Sequence, residues 1–351
     1  MPRAPRRSRH AAIVALILLP TFGWIGAAEA GHADACEHVP GIGRACRRAN
    51  GLLEVFSPSG GSLGFVHGLD AAPAKGGNKG GGGKGGGKGR GGGGTTTTTQ
   101  DPVAERRAPS CANPATDPYY TVAIYARAFD DADNFGASLP SIRDTIAEAN
   151  GLVFAAAAKR GDAADLEFLC DAAGEVAVAQ EVLPTPMDGA SFSTIVGDLR
   201  ARGYSSGQRK YLVFYDDTGA CACGGTGHVY ADSRLTSANY NNGNASSMFA
   251  VDFGYLSARI MLHELSHNMG AVQNDAPNST GGYHCTDGLD TMCYADGGPR
   301  SVWYTTSRCP RQEYDCGDDD YFNTRPDTGS YLAGHWNLGS TLNRFVRVTL
   351  A

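Results

Sequence analysis

The period of hydrophobic and polar positions changes several times along the chain, and each change predicts an element. Residues 119–128, YYTVAIYARA, are rich in β-branched and aromatic side chains and predict a strand. Ile142, Ile146, Ala149, Val153 and Ala157 then fall at helical spacing, behind a capping-box pattern at Ser141-Ile142-Arg143-Asp144 and ahead of Gly161, so a helix is expected from Ser141. Strands are expected over 166–170 and 175–183, and a helix over 192–202 closed by Gly203. The nearly continuous apolar run KYLVFY at 210–215 has the character of an inner strand. A further helix is expected over 252–272, where Phe253, Leu256, Ile260 and His267 share one face. Beyond Gly270 the periodicity gives way to Gly, Asp, Asn and Cys. The expected class is therefore α+β, with an upper mixed β-sheet and helices first and a loop-rich, disulfide-tied lower half after them. No internal repeat is visible.

The first part of the chain follows different rules. Arg3, Arg6, Arg7 and Arg9, an apolar run over 11–20 and Ala28-Glu29-Ala30 have the order of a secretory signal, with cleavage expected near Ala30. The apolar run is too short to favour a stable membrane span. Residues 31–74 read as a short segment that can hardly bury a core alone, either a pro-segment covering an active site or a plain spacer. Residues 75–109 are dominated by Gly with scattered Lys and a run of Thr, which cannot repay backbone ordering and reads as a flexible linker. Its lysines offer weak tethering to an anionic surface, without the interleaved aromatics that nucleic-acid tracts use. Arg106-Arg107 is a candidate processing point. The expected organisation is thus signal over 1–30, N-terminal segment over 31–74, linker over 75–109 and folded domain over 110–351.

Composition sharpens the compartment. The chain of 351 residues carries a formal charge of −6, with both signs mixed beyond the N-terminal third, which gives no reason to expect specific nucleic-acid binding. Ten cysteines in an exported chain read as disulfides, placing the protein in an oxidising, extracellular setting. Close spacing suggests Cys36 with Cys46, Cys285 with Cys293 and Cys309 with Cys316. Cys111, Cys170, Cys221 and Cys223 stay open.

The chemistry concentrates in MLHELSHNMG, residues 261–270. On a helix, His263 and His267 at i and i+4 present two imidazoles on one face, with Glu264 beside them. A hydrolytic zinc site needs ligands that leave one position open, and a carboxylate that takes a proton from the attacking water. His263 and His267 are candidate zinc ligands, and Glu264 is the candidate general base. For a third ligand, His284, Asp275 and Asp287 are the downstream candidates. His284 is favoured, because the glycines at 281 and 282 free its loop to reach back and Cys285 can fix it.

With Gly270 and Asp290-Thr291-Met292-Cys293-Tyr294, these residues resemble the extended H-E-x-x-H-x-x-G pattern and Met-turn of the metzincin zinc metalloproteases. The resemblance spans roughly 110–304 in outline, but only 263–270 and 290–294 in motif. It implies a secreted zinc endopeptidase with a five-stranded upper sheet, an active-site helix and an irregular lower subdomain. It also implies Met292 as an apolar floor, and Tyr294 as a phenol that reaches the metal or steadies the oxyanion. One departure stands out: Gln273 occupies the usual place of the third ligand, and a neutral amide is a poor one. That departure keeps an alternative open, a non-catalytic surface-binding or adhesive protein on a degenerate zincin scaffold. His228 and His335 read as structural. Asp315, Asp318, Asp319 and Asp320 form an acidic loop that suits Ca2+ chemically but lacks a regular ligand spacing.

Overall fold

The computed structural model describes residues 36–71, 105–216, 223–254, 256–302, 309 and 312–351. The signal and most of the glycine-rich linker lie outside these, as do Cys221 and part of the loop before Cys309. Within them no helix is long and apolar enough to cross a membrane.

The N-terminal segment forms four antiparallel strands, β1 (Cys36–Val39), β2 (Gly43–Arg47), β3 (Leu53–Phe56) and β4 (Ser62–Val66), in that order across a small sheet. A short strand follows, β5 (Asp70–Ala71). The remainder is a mixed α/β unit. In chain order it contains β6 (Ser110–Cys111), β7 (Tyr120–Ala128), α1 (Phe135–Ala158), β8 (Ala163–Phe168) and β9 (Val178–Leu183). Next come α2 (Phe192–Ala201), β10 (Arg209–Tyr215), β11 (Cys223–Gly227), β12 (Met248–Phe253), α3 (Ala258–Met269) and β13 (Val346–Thr349).

The main sheet runs β13-β8-β7-β10-β12-β11-β5, with β6 on β8 and β9 on β7. β7, β10 and β12 are parallel neighbours, and β11 lies antiparallel on β12. The sheet is thus wider than the five strands the resemblance implies, because the N-terminal segment adds β5 to one edge and the C-terminus adds β13 towards the other.

Alternation with period two sorts the strand residues onto two faces. Ala123, Tyr125, Leu212, Phe214 and Ala250 join a core with α1 and α3. Val122, Ile124, Tyr211, Val213, Phe249 and Val251 join a second core with Phe192, Ile195, Val196 and Leu199 of α2. Ile42, Ala45, Leu53, Val55, Leu63 and Val66 of the small sheet belong to this second core. A segment too small to bury a core alone is therefore folded by lending its apolar face to α2.

Two helix boundaries differ from the sequence expectation. α1 begins six residues before Ser141, at Phe135, and carries Pro140 in its second turn, where proline gives up one bond of the helical ladder. Asp252 and Phe253 end a strand instead of opening a helix: six residues of unbroken burial put β12 between β10 and β11, and the chain turns into α3 only at Ala258. Buried apolar residues on both faces of an inner strand imitate a helical stripe when read in one dimension.

The disulfides Cys36–Cys46, Cys285–Cys293 and Cys309–Cys316 form as spacing suggests. Cys111–Cys170 supplies one pairing that spacing left open. Arg106 and Arg107 are fastened to the domain, Arg106 to Asp144 at 2.8 Å and Arg107 to Asp165, with the Arg107 guanidinium 4.0 Å from the Phe154 ring centre. A processing protease would first have to undo these contacts.

Candidate metal centre

α3 carries its chemistry on the face turned to β11 and to the loop of residues 279–298. The helix stops at Gly270, whose φ of 91° is left-handed and whose absent Cβ would meet Asn241 at 2.8 Å. Lys210 of β10, fully buried, donates to the Asn268 carbonyl and so ties the end of the helix to the sheet. At the other end Arg259 donates to the carbonyls of Asp290 (2.8 Å) and Cys293 (3.3 Å), holding the 290–294 turn under the helix.

Three imidazoles converge. His267 Nε2 lies 3.0 Å from His263 Nε2 and 3.2 Å from His284 Nε2. Each is oriented from elsewhere where a partner exists: His263 Nδ1 faces the Thr291 carbonyl at 2.7 Å, and His284 Nδ1 meets Asp296 Oδ2 at 2.9 Å. With Nδ1 turned to these outer partners, the Nε2 atoms of His263 and His284 face the cluster. Three ring nitrogens this close together, with almost no exposure to water, are donors that a divalent cation fits.

The loop bearing His284 is shaped for this approach. A Cβ on Gly282 would lie 2.2 Å from Asp296 Oδ2, and one on Gly298 would lie 2.7 Å from the Thr280 carbonyl, so only glycine lets the two arms of the loop close. Thr280 Oγ1 also donates to Asp296 at 2.6 Å. Burial by itself would raise the Asp296 carboxyl, but the bonds from His284 and Thr280 outweigh it and hold it at about 2. Burial would likewise lower His284, and the carboxylates of Asp70 and Asp296 overcome this to raise it to about 9.

Glu264 is fully buried, and neither carboxyl oxygen has a hydrogen-bond partner. Burial first, and then the charge of Asp70, push its pKa well above the usual carboxylate range. The room it occupies is cut by β11: a Cβ on Gly225 would sit 2.6 Å from Glu264 Cγ, and one on Gly227 would sit 2.6 Å from the Glu264 carbonyl oxygen.

Met292 is fully buried in the turn held by Asp290, which accepts from Met292 N (2.7 Å) and from the Tyr321 hydroxyl (2.7 Å). The Tyr294 ring packs 4.4 Å from that of His284, and its hydroxyl donates to Asp70 at 2.7 Å. Burial, followed by the Asp70 charge, raises the phenol's pKa far above its ordinary value.

Two residues at this centre come from the N-terminal segment, and the sequence reading did not find them. Asp70 Oδ2 lies 2.7 Å from His263 Nε2, and Asp70 Oδ1 lies 3.2 Å from His284 Nε2. The His67 ring packs against that of His267, tilted by 34° with ring centres 3.9 Å apart. Burial lowers its pKa to about 3 against the pull of Asp70, so its ring is neutral and available as a ligand. His67, Asp70, His267 and His284 each offer a ligand atom within 4.8 Å of the others, as do Asp70, His263 and Glu264. The only signal in the sequence was His67-Gly68-Leu69-Asp70 at the end of a small apolar segment.

The other candidates lie apart from the imidazole cluster. Asp275 accepts from Tyr331 at 2.9 Å, and Asp287 is not in either group of potential ligands around the histidines. Gln273 is buried as a brace: its carbonyl accepts from Asp232 N at 3.0 Å, and its amide donates to Tyr230 O and Gly270 O. His228 accepts from Phe249 N at 2.8 Å, and His335 stacks on Tyr331 at 4.1 Å. In the acidic loop, Asp318 pairs with Lys159 and Arg160, while Asp315 is a buried carboxyl that collects backbone N–H groups from residues 319–322.

No family profile and no curated protein matches this chain. Among solved structures, wild-type OgpA from Akkermansia muciniphila is similar over 64% of this chain and 69% of its own, at 11% identity and a TM-score of 0.33. A catalytically inactive OgpA, in complex with an O-glycopeptide (glycodrosocin) substrate, is similar over 64% and 67%, at 10% identity and a TM-score of 0.30.

Proposed function

We propose that the protein is an extracellular zinc-dependent endopeptidase acting on protein or peptide substrates. The observation that carries this reading is the convergence of His263, His267 and His284 through Nε2 beside the buried, partnerless carboxyl of Glu264. A purely structural zinc site needs no such carboxyl, because it has no water to deprotonate. The four disulfides among the described residues agree with an oxidising compartment.

Zinc held by the three imidazoles would supply the Lewis acidity that activates a carbonyl and acidifies water. Glu264 then takes the proton from the attacking water and returns it to the leaving amine, a task suited to a buried carboxyl whose pKa is raised above the usual carboxylate range. Tyr294, whose hydroxyl reaches Asp70 beside the imidazoles, would donate a hydrogen bond to the developing oxyanion. Asp296 holds the His284 ring in the tautomer that leaves Nε2 free. Gln273, whose place in the pattern motivated the alternative of a degenerate scaffold, serves as a brace here, and His284 is the third imidazole of this reading.

The full chain and its Asp70→Ala form, incubated with a broad substrate such as casein, test this. Cleavage is expected in at least one form, to be stopped by a chelator, restored by zinc and abolished by Glu264→Gln, while His284→Ala loses zinc. Stoichiometric zinc without Glu264-dependent cleavage in either form overturns the proposal.

A further inference from the structure

Two of the three imidazoles are steered from outside the cluster, His263 by the Thr291 carbonyl and His284 by Asp296. His267 is not. Its Nδ1 is buried and has no hydrogen-bond partner among the described residues, and the groups packed on its side chain, the His67 ring and β11 at Gly227, hold it by contact alone. The place of its Nε2 is therefore set by the backbone that carries it, the last turn of α3. The end of a helix is where backbone order is weakest, because the final carbonyls have no partner within the helix.

From Ser266 to Gly270, however, each carbonyl has a partner. Ala271 N and Gly270 N donate to the carbonyls of Ser266 and His267, both at 2.9 Å, as the chain turns at Gly270. The next three are met by side chains from three separate parts of the fold. Lys210 of β10 donates to the Asn268 carbonyl, Trp336 Nε1 to that of Met269 at 2.6 Å, and Gln273 Nε2 to that of Gly270 at 3.1 Å.

Lys210 is the costly member of this set. It is fully buried, and among the described residues no carboxylate pairs with it. Besides the Asn268 carbonyl, its amine lies 3.7 Å from Met248 Sδ and 4.5 Å from the centre of the Phe345 ring. Burial pushes its pKa well below the ordinary lysine value, and either form is unfavourable: a charged amine forfeits its hydration, and a neutral one gives up its proton. For stability alone a methionine of similar length would serve better, since the burial cost of a charged group exceeds that of one unmet carbonyl. What the amine supplies and methionine lacks is a donor at the negative end of the α3 dipole.

We infer, resting on the peptidase reading above, that Lys210 is a positioning residue for His267: it fixes the last turn of α3, and through that turn the place of Nε2 at the metal, at a cost to the stability of the fold. It does through the backbone what Thr291 and Asp296 do for the other two rings. Asn268 is also held by its own side chain, whose Nδ2 donates to the carbonyls of His228 at 3.2 Å and Phe249 at 2.7 Å. Loss of the amine should therefore loosen one side of the turn and leave the helix in place.

The test compares the full chain with its Lys210→Met form. Thermal unfolding of both is followed after the metal has been stripped by a chelator. Zinc affinity is then measured by competition with a chromophoric chelator, and the visible absorption of the cobalt-substituted chains gives the geometry around the metal. The metal-free Lys210→Met chain is expected to melt at the same temperature as the unaltered chain or above it. Its zinc affinity should nevertheless be at least about tenfold lower, as for the loss of a group that orients a ligand, and its cobalt absorption should differ. An unchanged zinc affinity or an unchanged cobalt spectrum overturns the role of Lys210. So does a metal-free Lys210→Met chain that fails to fold or melts well below the unaltered one, because the lysine would then serve the fold and not the metal. An unaltered chain that binds no zinc overturns the metal centre itself, a failure separate from that of Lys210.

Discussion

Asp296 Oδ2 accepts a hydrogen bond from His284 Nδ1 at 2.9 Å, and the same oxygen takes the hydroxyl of Thr280 at 2.6 Å. One carboxylate thus fixes both the ring that completes the imidazole cluster and the loop that carries it. Replacing it with Ala leaves the ring free to rotate and removes the negative charge that raises its basicity. Asp296→Ala is expected to lower zinc affinity about 10- to 100-fold, the cost usual for a ligand's outer partner. Competition with a chelator of known affinity measures it, and an unchanged affinity would show that His284 is held by its packing alone.

Glu264 makes a sharper case, because its side chain bonds to nothing in the resting structure. Glu264→Gln should retain zinc and thermal stability while the rate falls by about 10²- to 10⁴-fold, the range for losing a positioned acid–base group. Measured in the Asp70→Ala form, a smaller loss would place the base elsewhere.

Gly225 and Gly227 allow the two roles of β11 to be separated. A methyl at Gly225 meets the Glu264 side chain, which can swing away, whereas one at Gly227 meets the Glu264 backbone oxygen, which cannot. Gly225→Ala is expected to lose activity with a modest fall in Tm, and Gly227→Ala to lose stability by about 1–3 kcal/mol, the range of overpacking in a core. Thermal unfolding and peptide cleavage on both variants check the contrast, and equal losses of both properties in the two variants would count against it.

The acidic loop gives a pH prediction. Burial, and then the charge of Asp319, raise the Asp320 carboxyl to about 8. An acid whose folded pKa lies above its unfolded value binds more protons in the folded state, so its contribution to stability is full at low pH and is lost as pH rises between about 4 and 8. Asp320→Asn keeps an oxygen for the bonds from Asn278 at 3.0 and 3.1 Å and removes the charge. Its Tm relative to wild type should therefore rise from pH 4 to pH 8 in calcium-free buffer. A constant difference across that range would show that Asp320 does not titrate there.

Much of the centre was legible because its logic is local. His263, Glu264 and His267 share a helical face by the period of the helix alone, and Gly270 stops that helix because its φ is left-handed. Three disulfides followed from short spacing, and the inner strand at 210–215 from an unbroken apolar run. The helix boundaries were less readable. Pro140 and the run around Phe253 carry the same letters in a helix or a strand, and only their neighbours across the sheet decide between them.

By itself, then, the sequence determined the helix with two imidazoles and a carboxyl, the turn at 290–294 and three short-range disulfides, since each depends on residues a few positions apart. Tertiary structure decided the rest. It drew His284 from a glycine-hinged loop, gave it Asp296 as a partner and left Asp275 outside. It also set Asp70 and His67 against the imidazoles from the far end of the chain. Contacts of that kind depend on how the second core pulls a small sheet onto α2 and lays β5 along β11, and no period or spacing in one dimension encodes which distant residues such packing brings together.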